Sequence, residues 1–111
     1  MKFHLTKEKI KQLYVANGPD GCFASNRITV DGKPVGYMYR EEPDGDSDFP
    51  DSGWRFFAGD ETEEYTDNPD NFNVFSLNTI CNYDKAIIRY LDAEYGSAFI
   101  RNRNRFVKDR E

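Results

Sequence analysis

Residues 53–58 read GWRFFA, and a glycine-aspartate turn with a burst of acid, GDETEE, follows at 59–64. Strict alternation puts Trp54 and Phe56 on one side of an extended chain and Arg55 and Phe57 on the other. The expectation is a central strand over 53–58, with Trp54 and Phe56 as structural core. Gly59 then turns the chain. Asp60 and Glu61 either cap the amides of that turn or face a partner.

Upstream, EPDGDSDFPDS at 42–52 holds two prolines, one glycine and five acids, and reads as a loop. Before it, 22–30 and 35–41 are rich in β-branched and aromatic residues and read as two strands. Asp31-Gly32 between them is a strong hairpin signal. Residues 6–17 read as a helix, with Thr6 as N-cap, Ile10, Leu13 and Tyr14 at helical spacing, and Gly18-Pro19 as the stop.

Downstream, 59–72 is turn-like, with Asn68-Pro69-Asp70-Asn71 as its clearest stop. Residues 74–77, VFSL, form a fourth strand with room to run on to Cys81. Asp84 caps a second helix, with Ile87, Ile88, Leu91 and Tyr95 as its apolar stripe and Gly96 at its end. SAFIR at 97–101 is a short last strand. The basic tail, 102–111, is expected to fray, with Phe106-Val107 tacking it down. The predicted class is α+β: an antiparallel sheet of about four to five strands with two helices packed on it.

The chain has 111 residues, which fits a single domain spanning 1–111. Nine Phe, seven Tyr and one Trp supply a core despite an apolar fraction of only 38%. No signal-like or membrane-length apolar run occurs, so a cytoplasmic location and no membrane partner are expected. Cys22 and Cys81 are far apart and lack ligand spacing, which reads as two buried thiols.

The net charge of −5 is unevenly spread. Residues 41–70 hold twelve acids and a single base, Arg55. Such a field repels nucleic acid and attracts basic partners, so no nucleic-acid binding is expected. Asp44-Gly45-Asp46-Ser47-Asp48 begins like a calcium loop, but Phe49 stands where the sharp turn needs glycine. Arg55 stands where a bidentate glutamate is needed. With one histidine and two scattered cysteines, neither a metal nor another cofactor is implied. The phosphate-binding glycine loops are absent, and carboxylates are too plentiful for a pair to identify an enzyme. No catalytic residues are assigned. The candidate partner-binding residues are Asp44, Asp46 and Asp48 on one loop, and Asp60, Glu61, Glu63, Glu64 and Tyr65 on the next.

Taken together, GWRFFAGDETEEY, TDNPDNFNVFSLNTICNYD, YGSAFIR and FASNRITVDGKPVGYMYREE resemble a bacterial family, the immunity protein 33-like proteins, first catalogued as a domain of unknown function. The likeness covers about residues 22–101. The chain departs from the pattern at Lys85, after the aspartate of NYD, and at Glu94-Tyr95, before the GSAF glycine, where the family commonly carries proline. The resemblance implies a small, non-enzymatic, cytoplasmic protein that neutralises a cognate toxin, with no catalytic residues to carry over. The expected mechanism is occlusion of a basic toxin by a monomer or weak homodimer. The alternative is a small-ligand or cation-binding domain using the 44–48 loop, and a third is a hydrolase.

Overall fold

A computed structural model describes residues 2–109. Six strands form one mixed sheet: β1 (Gly21–Ser25), β2 (Tyr37–Arg40), β3 (Asp51–Phe57), β4 (Phe72–Ser76), β5 (Ala98–Asn102) and β6 (Arg105–Lys108), in the order β4-β1-β3-β2-β5-β6. The short helices are α1 (Asn26–Thr29), α2 (Glu63–Asp67) and α3 (Leu77–Tyr83). The class is α+β, as expected, but the sheet has six strands and is not purely antiparallel. β1 and β3 run parallel, while the other neighbours are antiparallel.

The hairpin expected at Asp31-Gly32 does not form. β3 lies between β1 and β2. Residues 26–29 leave the sheet as α1, because Ser25 Oγ accepts the Arg27 amide as an N-cap. Gly32, at φ 77°, closes that helix by donating its amide to Ile28 O. A left-handed glycine serves a helix end as well as a hairpin, so the dipeptide alone could not choose.

The helix expected over 6–17 is replaced by a 3-10 turn, Lys7–Lys9, and an extended strap. Leu13 and Tyr14 still pack against the core. Their amides, however, are taken by a side chain of α3: Asn78 Oδ1 accepts from Leu13 and Tyr14 at 2.7 and 3.0 Å. Asn82 Oδ1 likewise accepts the Lys11 amide at 3.0 Å. With outside partners for its backbone, the segment has no need of helical bonds.

The fourth strand stops at Ser76, whose Oγ accepts the Thr79 amide and starts α3, so Cys81 is helical. Asp84 caps a 3-10 helix, Lys85–Tyr90, shorter than the second helix expected from the sequence. The fraying expected of the basic tail is corrected, while the tacking down expected of Phe106 is seen. Residues 105–108 form β6, and Phe106 is buried against the Tyr90 ring, whose hydroxyl accepts its amide at 3.1 Å. Residues 110 and 111 of the tail lie outside the described residues.

The core sits on one face of the sheet. Trp54 and Phe56 are fully buried there with Ala24, Met38 and Phe99, under Ile80, Ile87 and Leu91. The Trp54 ring stacks on Phe56 and Phe99 at centroid distances of 6.0 and 6.3 Å. Its Nε1 donates to Leu91 O at 3.1 Å, satisfying the one polar atom of the ring.

Candidate functional site

On the opposite face, alternation along the strands aligns Phe23 of β1, Arg55 and Phe57 of β3, Tyr37 and Tyr39 of β2, and Ile100 of β5. Val107 of β6 pairs with Ile100 and continues the row. Among the described residues no helix bundle covers this side. Phe49 and the α2 region overlie its β1 and β3 part, while Val74 on edge strand β4 is 46% exposed. Phe49 meets Phe23 edge-on at 5.4 Å, and Phe72 meets Phe57 edge-on at 5.5 Å. The other half is open, with Ile100 and Val107 at 43% and 42% exposure.

A buried ion cluster is set into this face. Arg55 donates to both oxygens of Asp51 at 2.8 Å and, through Nε, to Glu41 at 2.8 Å. Its guanidinium lies 4.8 Å above the Phe23 ring. In a regular strand Asp51 and Arg55 would share a face but lie about 13 Å apart, and the chain shortens between them, four residues of β3 spanning two of β1. The register shift between β1 and β3 centres on Gly53, at φ 91°. A Cβ on Gly53 would stand 2.1 Å from Glu41 O. Burial works to raise the Asp51 carboxyl, but the Arg55 guanidinium and the Gly53 amide outweigh it, so its pKa falls below the usual range. A strand expected to begin at 53 leaves Asp51 out, and a period of two alone would set it on the face of Arg55 but out of reach.

The acidic residues singled out from the sequence divide into two sets. Asp44, Asp46 and Asp48 are exposed on the loop before β3, where Asp44 O accepts from the Ser47 amide and hydroxyl. They do not converge. Among the described residues no group of three or more His, Cys, Asp or Glu side chains is placed to hold a metal ion. Asp60 is held by Arg27 through two hydrogen bonds of 3.1 and 2.5 Å, which lower its pKa. Glu61 accepts the Ala58 and Gly59 amides at 2.8 and 2.9 Å, and Gly59 turns at φ 98°. Both thus serve the turn out of β3. Glu63 and Glu64 are exposed in the first turn of α2, which Thr62 caps, and carboxylates there suit the positive end of a helix. Tyr65 is half-buried, its ring 6.3 Å from Phe72.

The two acidic segments leave opposite ends of β3, yet the second folds back. Thr66 and Pro69 share a groove of about 340 Å³ with Glu41, Arg55, Phe57 and Tyr39. A second groove, of about 590 Å³, adjoins it at Tyr39 and Glu41 and is walled by Tyr37, Glu42, Tyr95 and Asp109. This arrangement offers aromatic area and carboxylates, which suits binding.

The thiols offer little to chemistry. Both are free and buried, and burial pushes the Cys22 pKa up and that of Cys81 up to about 12. Both are therefore protonated at neutral pH, and a thiol rather than a thiolate is a poor nucleophile.

Residues 22–110 match the Immunity protein Imm33 domain. The chain belongs to that family, the one its motifs resemble. No curated protein and no solved structure matches it. Among the described residues no helix is long and apolar enough to cross a membrane.

The motifs that carry the family likeness are largely fastenings of the scaffold. Trp54 anchors the core and Glu61 caps the turn. Asn68 Oδ1 accepts the Asp70 amide to start the NPDN turn. Asp84 caps the 3-10 helix, accepts the Val35 amide at 3.0 Å and pairs with Arg101. Arg101 Nε in turn donates to Val35 O at 2.7 Å. The two departures from proline, at Lys85 and at Glu94-Tyr95, break none of these bonds.

Proposed function

We propose that this chain is a single-domain, non-enzymatic binding module of the cytoplasm. It neutralises a cognate toxin by docking on the toxin and occluding its active or substrate-binding surface. Membership of the Imm33 family carries this reading. The acidic segment around β3 supports a basic toxin as the target, because complementary charge speeds encounter and discriminates between partners. Asp44, Asp46, Asp48, Glu63 and Glu64 are free to contribute, with Tyr65 beside them. Asp60 and Glu61 we assign to the turn. The protein acts as a monomer or weak homodimer, and the reading needs neither a cofactor nor nucleic acid. A cation-binding role for the 44–48 loop is disfavoured by the scatter of its carboxylates.

The test starts with affinity capture from lysate of the source cell at low and high salt, read by mass spectrometry. The captured protein is then expressed in a host with and without this chain. The expected result is one basic protein, released by salt, whose toxicity the chain suppresses. Growth arrest that persists despite co-expression refutes neutralisation.

A further inference from the structure

The open half of the sheet carries an inference that rests on the binding role above and names the surface and its ligand chemistry. Tyr37, Tyr39 and Phe57 form a three-ring platform, with mutual centroid distances of 6.0–6.1 Å. Tyr39 and Phe57 are stacked at an interplanar angle of 14°. Ile100 and Val107 extend the apolar area toward the edge of the sheet. An exposed apolar face of this kind, bordered by polar groups, is the usual mark of an interaction site.

Charge decides the occupant. The adjoining groove is bordered by Glu41, Glu42 and Asp109. Glu41 uses Oε2 for Arg55. Glu42 and Asp109 have no side-chain hydrogen bond or ion pair among the described residues. Arg40 also lines the groove and keeps its charge there, since its hydrogen-bond partners are neutral carbonyls. It donates to Ser52 O and Ala93 O at 2.8 and 2.7 Å and lies 4.6 Å from the Tyr95 ring centre. Arg105, on the same strand as Val107, stands at the hairpin end, and Asp109 at the other. The surface thus presents ring faces beside three carboxylates, of which Glu42 and Asp109 are unpaired among the described residues, against the one guanidinium of Arg40. A planar guanidinium satisfies both, by stacking on the rings and donating a fork of N–H hydrogen bonds to carboxylate oxygens. A second copy of this chain would bring the same carboxylates against these.

We propose that the partner docks on the open sheet face centred on Tyr37, Tyr39 and Phe57, and that it presents an arginine-bearing segment to the groove beside Glu41, Glu42 and Asp109. The probe is the blocked peptide Ac-Gly-Arg-Gly-Arg-Gly-NH2, titrated into 15N-labelled protein at low salt and followed by NMR. Saturable shifts are expected for the amides of residues 37–42 and 97–100, and not with the citrulline analogue. Tyr39→Ala should weaken binding about 2–5-fold. Glu42→Gln should weaken it by a similar ~2–5-fold, and being exposed it should leave the fold unchanged.

Shifts confined to residues 44–48, equal binding of the citrulline peptide, or an unchanged affinity in Glu42→Gln overturns the proposal. The two readings fail separately. Peptide binding at this face without a neutralised toxin removes only the toxin role. A toxin neutralised equally by wild type and Glu42→Gln, with the peptide silent, removes only this docking surface.

Discussion

The two faces of the sheet are made by the same strands and differ in what covers them. On one face Trp54, Phe56, Met38 and Phe99 are sealed beneath α3, the 3-10 helix and the N-terminal strap. On the other, Tyr37, Tyr39 and Phe57 are only half-buried, and Ile100 and Val107 are exposed. Composition does not separate them, since both are aromatic. The difference lies in the connections. Segment 77–91 falls on one side, while the loop carrying Phe49, α2 and the 3-10 turn Pro69–Asn71 return over part of the other. A strand of alternating aromatics therefore yields a core on the covered side and an open aromatic surface on the other.

Substitutions test that asymmetry. Trp54→Ala should be the most damaging, costing about 5 kcal/mol. It removes a fully buried ring and leaves Leu91 O without its donor. Urea unfolding measures this, and a loss under ~1 kcal/mol would mean that the sealed face is not the main core.

Arg55→Ala comes next, at about 3 kcal/mol near neutral pH, because Asp51 is left buried and unpaired. Its pH dependence has a defined sign. The Asp51 pKa is lowered in the folded state. The stability it contributes is therefore present above its unfolded value of about 3.9 and is lost as pH falls through the lower folded value. The gap between wild type and Arg55→Ala should narrow below pH ~4 as Asp51 takes up a proton. A gap that stays constant from pH 7 to 3 would deny the ion cluster its role.

Val107→Thr should be the mildest, within about 0.5 kcal/mol, since its side chain is exposed and packs little. Thermal unfolding checks it. A larger loss would show that the open face contributes to the monomer's stability.

The central strand was legible because alternation needs only local sequence. GWRFFA gave both the strand and the buried side of Trp54 and Phe56. The turn at Gly59, the Asn68–Asn71 stop and the cap at Asp84 were legible for a like reason, since each depends on residues within two or three positions. The hairpin expectation failed on local grounds, at the Ser25 cap and the Gly32 helix end, while others failed where backbone groups find distant partners. The strap over 10–16 carries helical spacing, yet Asn78 and Asn82 bind its amides from more than sixty residues away. The basic tail reads as frayed apart from Phe106-Val107, yet residues 105–108 pair along the edge of β5 and Phe106 meets Tyr90. Asp60 and Glu61 read equally as partner contacts or turn fastenings, and to this the structure adds their bonds to Arg27 and to the Ala58 and Gly59 amides.

By itself the sequence determined the α+β class, the family, the concentration of acid around the central strand and the burial of Trp54 and Phe56. These rest on composition, motif and a period of two, which operate over short stretches of chain. Only the tertiary structure decided the strand order, the parallel pairing of β1 with β3, the Arg55–Asp51–Glu41 cluster and which aromatic face stays open. Each of these joins groups distant in the chain, and a strand's pattern states which residues share a face without stating what will cover it.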